Sequence, residues 1–441
     1  MTATTDGALK NQWYAWYVVL VLSIAAIVSY VDRQVINLLV EPIKADLGVS
    51  DTQISLIQGF SFAMFYAVLS VPIARLADAG NRVHVIIGGV ICWSVATFSC
   101  GLAVGFWTLF AARVFVGAGE ATLAPAGYSL LGDYFSKEKL PLAISVFTGS
   151  GFLGSGVALI IGAFVIDIVA GWGTVVLPLV GELRSWQLIF MLVALPSVLV
   201  VLLLVLVREP ERKGVGVDSP QQVELRELFG HLKENRRIYA AIFFGFTLFA
   251  SANFGIGAWV PTFFIRTYGW TASEIGAPFG AMAAVLGTAG VLSGGWLSSW
   301  LIQRGVATAN FVVPLGAAVA CVPFMAAFPL VGNAQYSLLL LGPVLFFGAM
   351  PFGTGTATLP QVAPNRMRAQ VVAIYLLVAN LLGFTTGPTL IAVMTDHYWV
   401  DPLLIRYSIA SVAPVLVAVG VIIVASGLNA YGAYLRNQSM P

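Results

Sequence analysis

Charge is scarce in this chain: Asp, Glu, Lys and Arg together make up 10% of 441 residues, and 22 basic against 20 acidic side chains leave a net charge of +2. A nucleic-acid-binding protein needs a dense basic face to neutralise phosphates, so that class is excluded. Cysteine and histidine are nearly absent, at three residues each. Cys92, Cys100 and Cys321 fall within apolar stretches without metal-ligand spacing, so they read as packing residues and no metal site is expected. His84, His231 and His397 lie away from the middle of any apolar stretch, which leaves no Ser-His or metal constellation for an intramembrane enzyme. A Gly-x-x-x-x-Gly-Lys phosphate loop is also missing, which argues against ATP as the driving force. Neither enzymatic activity nor a cofactor is expected. The N-terminus has no small-residue cleavage site behind a short apolar core, so the first apolar stretch is expected to remain as a helix.

What is present is apolar length. Hydrophobic residues make up 59% of the chain and the mean hydropathy is +0.90, the signature of a polytopic membrane protein. Reading with a window of about 19 residues predicts an all-α membrane protein of twelve transmembrane helices, near 15–42, 52–75, 83–104, 107–134, 139–168, 186–208, 238–266, 273–302, 309–330, 336–361, 367–394 and 404–433. The polar segment 209–237 divides six spans from six, giving an N-terminal half over 1–208, a linker over 209–237 and a C-terminal half over 238–441. With the N-terminus placed in the cytoplasm, sixteen Lys and Arg fall on the inner side and four on the outer side, the remaining two being Arg33 and Arg113 inside spans. The excess of basic residues on one side predicts cytoplasmic termini, a cytoplasmic linker and residence in the cytoplasmic membrane.

The two halves echo each other. Gly48-Val-Ser-Asp-Thr-Gln-Ile54 after the first span matches Gly269-Trp-Thr-Ala-Ser-Glu-Ile275 after the seventh at an offset of 221 residues. Gly149-Ser-Gly-Phe-Leu-Gly-Ser-Gly156 in the fifth span resembles Asn380-Leu-Leu-Gly-Phe-Thr-Thr-Gly-Pro388 in the eleventh. Pseudo-symmetric six-helix halves of this kind mark a transporter with its site near the bilayer midplane. The same offset places Asn253 and Phe254 opposite Asp32 and Arg33, so the charged machinery belongs to the N-terminal half alone.

Four charges stand inside predicted spans and away from their ends: Asp32 and Arg33 in the first, Arg113 and Glu120 in the fourth. Each costs about 2.5–3.5 kcal/mol at the centre of an inserted helix, so such residues face partners or a watery cavity and carry function. Arg113 and Glu120 are seven residues, two helical turns, apart and share a face. Asp32 and Glu120 are the candidate proton carriers. Arg33 and Arg113, with Glu120, are candidate substrate contacts, because a guanidinium fork binds two oxygens of a phosphate or carboxylate and keeps its charge when buried. Asn253, Tyr375 and Asn380 are polar groups in otherwise apolar spans of the second half and are the further candidates for lining the cavity.

The loop between the second and third spans reads Ala74-Arg-Leu-Ala-Asp78-Ala-Gly-Asn-Arg82. It resembles the Gly-x-x-x-Asp-Arg-x-x-Arg motif of the major facilitator superfamily, with Ala74 and Ala79 in place of the usual Gly and Arg. Asp78 near a helix end, with Arg82 in reach of Asp133, forms a candidate cytoplasmic gate. Arg113-Val-Phe-Val-Gly117-Ala-Gly-Glu120-Ala, followed by Pro125, resembles the fourth helix of that superfamily. Together with Asp32-Arg33 it resembles the spinster-like transporters, which implies a lysolipid or sphingolipid substrate. The expectation is a monomeric secondary transporter of an anionic amphiphile, working by alternating access and coupled to protons, in contact with membrane lipids and with no nucleic acid. The alternative is a proton-coupled symporter of small organic anions, since acid and arginine pairs in the first and fourth helices also occur there.

The topology has a direct check. A cysteine placed at Ser219 in the linker should resist an impermeant thiol reagent added outside intact cells and react once the membrane is opened; labelling in intact cells would invert the orientation.

Overall fold

The computed structural model describes residues 3–136, 139–172, 175–177, 181–212, 225–364 and 366–439. Among these, eleven helical stretches are long and apolar enough to cross a membrane: Gln12–Leu38, Asp51–Ser70, Arg82–Cys100, Leu142–Ala170, Ser185–Val205, Arg236–Tyr268, Ala272–Gln303, Ala309–Leu330, Ala334–Thr354, Gln370–Trp399 and Pro402–Asn437. The predicted fourth span is the twelfth. It is broken into helices Phe106–Glu120 and Leu123–Tyr134, each short of a full crossing by itself. At the break the Gly119 carbonyl accepts both the Thr122 backbone N–H at 3.2 Å and the Thr122 hydroxyl at 2.8 Å, a tighter three-residue closure. An all-α membrane fold of twelve spans is what helices require in hydrocarbon, where every backbone donor and acceptor must pair within the segment. The exception is a small antiparallel hairpin, Val175–Leu177 against Gly181–Leu183, in the long connection before the sixth span.

The chain forms two compact units. Unit 1 comprises Met1–Val49, Ser61–Val215 and Ala272–Ala284; unit 2 comprises Ser50–Phe60, Gly216–Thr271 and Val285–Pro441. The first part of the second span therefore belongs to unit 2 and the first part of the eighth to unit 1. Both transfers fall beside a π-helical turn, Leu56–Phe60 in the second span and Ala283–Gly287 in the eighth. Such single turns widen the helix locally and often sit at functional positions.

In unit 1 the transferred eighth-span segment packs on the fifth span through small residues. A Cβ on Gly156 would lie 2.3 Å from the Gly280 carbonyl oxygen, and one on Gly280 would lie 2.5 Å from that of Gly156, so the two backbones meet with no room for a side chain. Around the first span, Val18, Leu22, Trp93, Leu130 and Phe147 belong to one apolar core. Trp93 donates its indole N–H to Ser197 Oγ at 3.2 Å. Trp13 and Trp107 are exposed, at 77% and 75%, as interfacial anchors are. Trp186, at the start of the Ser185–Val205 span, is instead buried, its indole donating to Asp46 Oδ2 at 3.0 Å.

In unit 2 the transferred segment is held by charge. Asp51 is fully buried and takes both nitrogens of the Arg266 fork, at 2.6 and 2.7 Å. Asp396 accepts the Thr52 backbone N–H at 2.6 Å and that of Asp51 at 3.3 Å, so the helix start is capped from the eleventh span. A bidentate pair removed from water has excellent geometry but high stakes, since deleting one partner strands the other. Asp51→Asn should therefore cost about 3–5 kcal/mol of stability, read as a lowered thermal midpoint of the purified protein, and pairing it with Arg266→Gln should recover much of the loss. An unchanged midpoint in the single variant would show that the pair contributes no net stabilisation.

Candidate functional site

Ser29, Tyr30, Asp32 and Arg33 occupy little more than one turn of the first helix, and Glu120 ends the helix Phe106–Glu120, with Arg113 two turns earlier in it. Unit 1 brings these residues together. Glu120 Oε2 is the centre: it receives the Arg33 guanidinium through Nη2 and the Ser29 hydroxyl at 2.8 Å. Ser29 and Arg33 are four residues apart, so a single face of the first helix supplies both donors. Glu120 sits at the helix break, and its side chain is 1% exposed against 13% for Arg33.

Aromatic faces surround the Arg33 guanidinium. Its central carbon lies 4.2 Å from the Phe62 ring centre, 4.8 Å from that of Tyr30 and 5.6 Å from that of Tyr66. Phe62 and Tyr66 are themselves stacked, with centroids 5.3 Å apart. Each cation–π contact contributes about 0.5–2 kcal/mol, more as water is excluded, and the rings confine the guanidinium without competing for its hydrogen bonds.

The second acid and arginine are arranged differently. Arg113 is fully buried; its Nη1 donates to the backbone carbonyl of Asp32 at 3.0 Å, while Nε and Nη2, the side-on edge of the fork, have no hydrogen-bond partner. The Asp32 carboxyl is also fully buried, and neither of its oxygens takes part in a well-formed hydrogen bond. Thr97 on the third span is its polar neighbour. Glu120 Oε1 is likewise without a partner. The cluster thus holds one closed pair, Arg33 with Glu120, beside an open set of donors and acceptors on Arg113, Asp32 and Glu120. Unsatisfied buried groups of this kind cost about 1–3 kcal/mol each, a cost that a proton or an anion entering the cluster can relieve.

The candidates of the second half lie in unit 2. Asn253 gives its amide to the carbonyls of Phe249 at 2.9 Å and Gly348 at 3.1 Å, joining the seventh span to the tenth. Tyr375 is 8% exposed, with its ring 6.1 Å from that of Phe243. Asn380 is part-buried on the eleventh span. Phe254, opposite Arg33 by the repeat offset, stacks on Phe384 at 4.1 Å. Of the gate candidates, Arg82 is 2% exposed and bridges Asp133 and Glu209, the latter at 2.7 Å, with the Ser129 carbonyl at 3.0 Å. The Asp78 side chain lies outside the described residues.

Ser29, Tyr30, Phe62, Tyr66 and Glu209 are members of these networks that sequence reasoning missed. Ser29 and Tyr30 had a signal, being four and three residues before Arg33 on one helical face. Phe62 and Tyr66 recur four apart, but nothing in the sequence tells which cation their face meets. Among the described residues no cluster of His, Cys, Asp and Glu could hold a metal ion.

The sequence model of the Major Facilitator Superfamily matches residues 22–388. The chain belongs to the major facilitator superfamily. It is 27% identical over 400 residues to the sphingosine-1-phosphate transporter SPNS2 of Mus musculus, spanning 85% of this chain and 69% of that protein. It is also 27% identical over 412 residues to protein spinster homolog 3 of Danio rerio, spanning 89% and 79%. An MFS-type efflux pump of Mycolicibacterium smegmatis is 26% identical over 385 residues, spanning 87% and 85%. In three dimensions the chain is similar to the crystal structure of a bacterial homologue of the human lysosomal transporter Spinster in an inward-facing, unoccupied conformation, with TM-score 0.78 and 25% identity over 96% of this chain and 98% of that one. This chain is thus a membrane transporter of the superfamily, similar to spinster-like proteins, and the likeness first seen in the motifs of the N-terminal half extends over most of the chain.

Proposed function

We propose that this protein moves an anionic amphiphile, of lysophospholipid or sphingosine-phosphate type, across the cytoplasmic membrane by alternating access of its two six-span halves, with the termini and linker inside and protons carried by Asp32 and Glu120. The observation that carries this reading is the open edge of Arg113: two parallel N–H donors, fully buried and unpartnered, next to a carboxyl group that is also unpartnered. An entering phosphate or carboxylate takes that edge in the bidentate geometry guanidinium favours. It also competes with Glu120 for Arg33. The displaced carboxylate then stands buried without its counter-charge and is driven to take a proton. Exit of the anion reverses the exchange, which ties substrate to proton.

The rest of the setting suits an apolar tail. Arg33 is enclosed by the ring faces of Phe62, Tyr30 and Tyr66, and the amide of Asn253 is already given to backbone carbonyls. A small polar metabolite would leave hydroxyls unpaired at about 1–3 kcal/mol each, whereas an acyl chain gains about 0.8 kcal/mol per CH₂ removed from water. The sphingosine-1-phosphate named for the SPNS2 relatives combines both requirements.

In proteoliposomes, the apparent affinity for lysophospholipids, referred to free monomer in water, should rise roughly fourfold per CH₂ added. It should fall sharply in Arg113→Ala and recover only in part in Arg113→Lys, which restores charge but not the fork. Saturable uptake of a hexuronate, with indifference to lysophospholipids of any chain length, would assign the protein to the small organic anion symporters instead.

Coupling is tested separately. Glu120→Gln should remove the acceleration of transport by a pH gradient while keeping some substrate binding, because the amide imitates a protonated acid that cannot cycle, and Asp32→Asn compared alongside shows which acid dominates. Full pH-gradient-driven transport in both variants would leave facilitated diffusion as the description.

A further inference from the structure

Unit 1 carries a second concave feature that the ion cluster does not use. The end of the second span and the third span stand apart as two walls, with Leu76 on one and Val85 and Gly88 on the other; Gly119 and Thr122, at the break of the fourth span, form the floor. The cavity between them is about 500 Å³. Leu76 and Gly88 are exposed. Apart from the exposed His84 at the mouth, the polar side chains along it are engaged: the Thr122 hydroxyl donates to the Gly119 carbonyl, and the Asn81 side-chain oxygen accepts the His84 backbone N–H at 2.9 Å. Water needs two to four polar partners to be held in such a place, so the occupant is apolar. From Asn81 to Cys92 the lining runs along the helix for roughly 16 Å at 1.5 Å per residue, close to half of the ~30 Å hydrocarbon thickness. One leaflet's acyl chain has that reach.

The mouth is cationic. The turn at Gly80 and Asn81 joins two spans and so lies at a membrane surface. There the exposed Arg212 donates to the carbonyls of Ala77 at 2.9 Å and Gly80 at 2.6 Å, which fixes its guanidinium beside a residue that lines the groove. Arg75 is exposed one residue before Leu76, and His84 is exposed on the opposite wall. We propose that this groove binds one acyl chain of an anionic phospholipid, with the headgroup phosphate at Arg212, Arg75 and His84. Apolar filling alone gives little preference inside a bilayer, because lipid tails are as apolar as the groove; the headgroup supplies the selectivity. Gly119 and Thr122 flank Glu120, so a chain seated on them braces the broken backbone that presents the partner of Arg33. The site is separate from the transported substrate and stands whatever that substrate is.

Gly88 provides the test, since a Cβ added there meets nothing within 4 Å and a larger side chain can fill the groove without pressing on the helices. The full chain is purified in detergent and offered dioleoyl phosphatidylglycerol or dioleoyl phosphatidylcholine, and the bound lipid is counted by native mass spectrometry alongside the thermal midpoint. The wild type should retain one more phosphatidylglycerol than Gly88→Trp or Gly88→Leu, with about a fivefold preference over phosphatidylcholine for each arginine engaged. Phosphatidylglycerol should raise the midpoint of the wild type alone. Arg212→Ala should reduce the preference for phosphatidylglycerol. Equal retention by the wild type and a well-folded Gly88→Leu, or equal retention of the two lipids by the wild type, would overturn the proposal.

Discussion

One ion pair inside the membrane sets the terms for the rest of unit 1. Arg33 and Glu120 each carry a charge that hydrocarbon opposes, and each tolerates burial because the other is in contact. The pair joins the first span to the fourth at the point where the fourth is broken, so the electrostatics and the helix geometry meet at one residue. Ser29 adds a hydrogen bond to the same carboxylate oxygen, and three aromatic faces hold the guanidinium. Arg113 and Asp32 complete the group without closing it, and a site that is partly closed is one that a ligand can rearrange.

The two units solve the problem of a moving membrane protein with different materials. Each takes in the first part of a span that the repeat places in the other half of the sequence. In unit 1 that segment is seated through Gly156 and Gly280, where backbone meets backbone. In unit 2 the equivalent segment is fixed by Asp51 and Arg266 and capped by Asp396. One seam is close backbone packing and the other a buried bidentate pair, so the pseudo-symmetric halves hold their transferred segments by different means. A π-turn lies beside each transfer, the kind of local widening that often marks a functional position.

The architecture was legible because hydrophobic length is a one-dimensional property: twelve apolar stretches, six on each side of a polar linker, follow from residue order alone. The four intramembrane charges were legible for the same reason, since depth in a span is counted along the chain. Partner choice was not. Spacing put Arg113 and Glu120 on one face of one helix, as they are, but spacing within a helix says nothing of the Arg33 that another helix brings to Glu120. The part played by Asp51 was equally hidden: the sequence marks it as the start of a helix, and only the fold delivers Arg266 to it, more than two hundred residues later. Trp186 shows the limit of a rule based on position, since a tryptophan at a span end reads as an anchor until another helix covers it.

If anion entry opens the Arg33–Glu120 pair, binding and protonation are one event, and calorimetry can count the protons. Sphingosine 1-phosphate titrated into the purified protein, in buffers of different ionisation enthalpy, should give a net proton exchange for the wild type that shifts by close to one proton in Glu120→Gln. An identical proton count for the two proteins, at comparable affinity, would mean that the pair stays shut while substrate binds and would contradict the account.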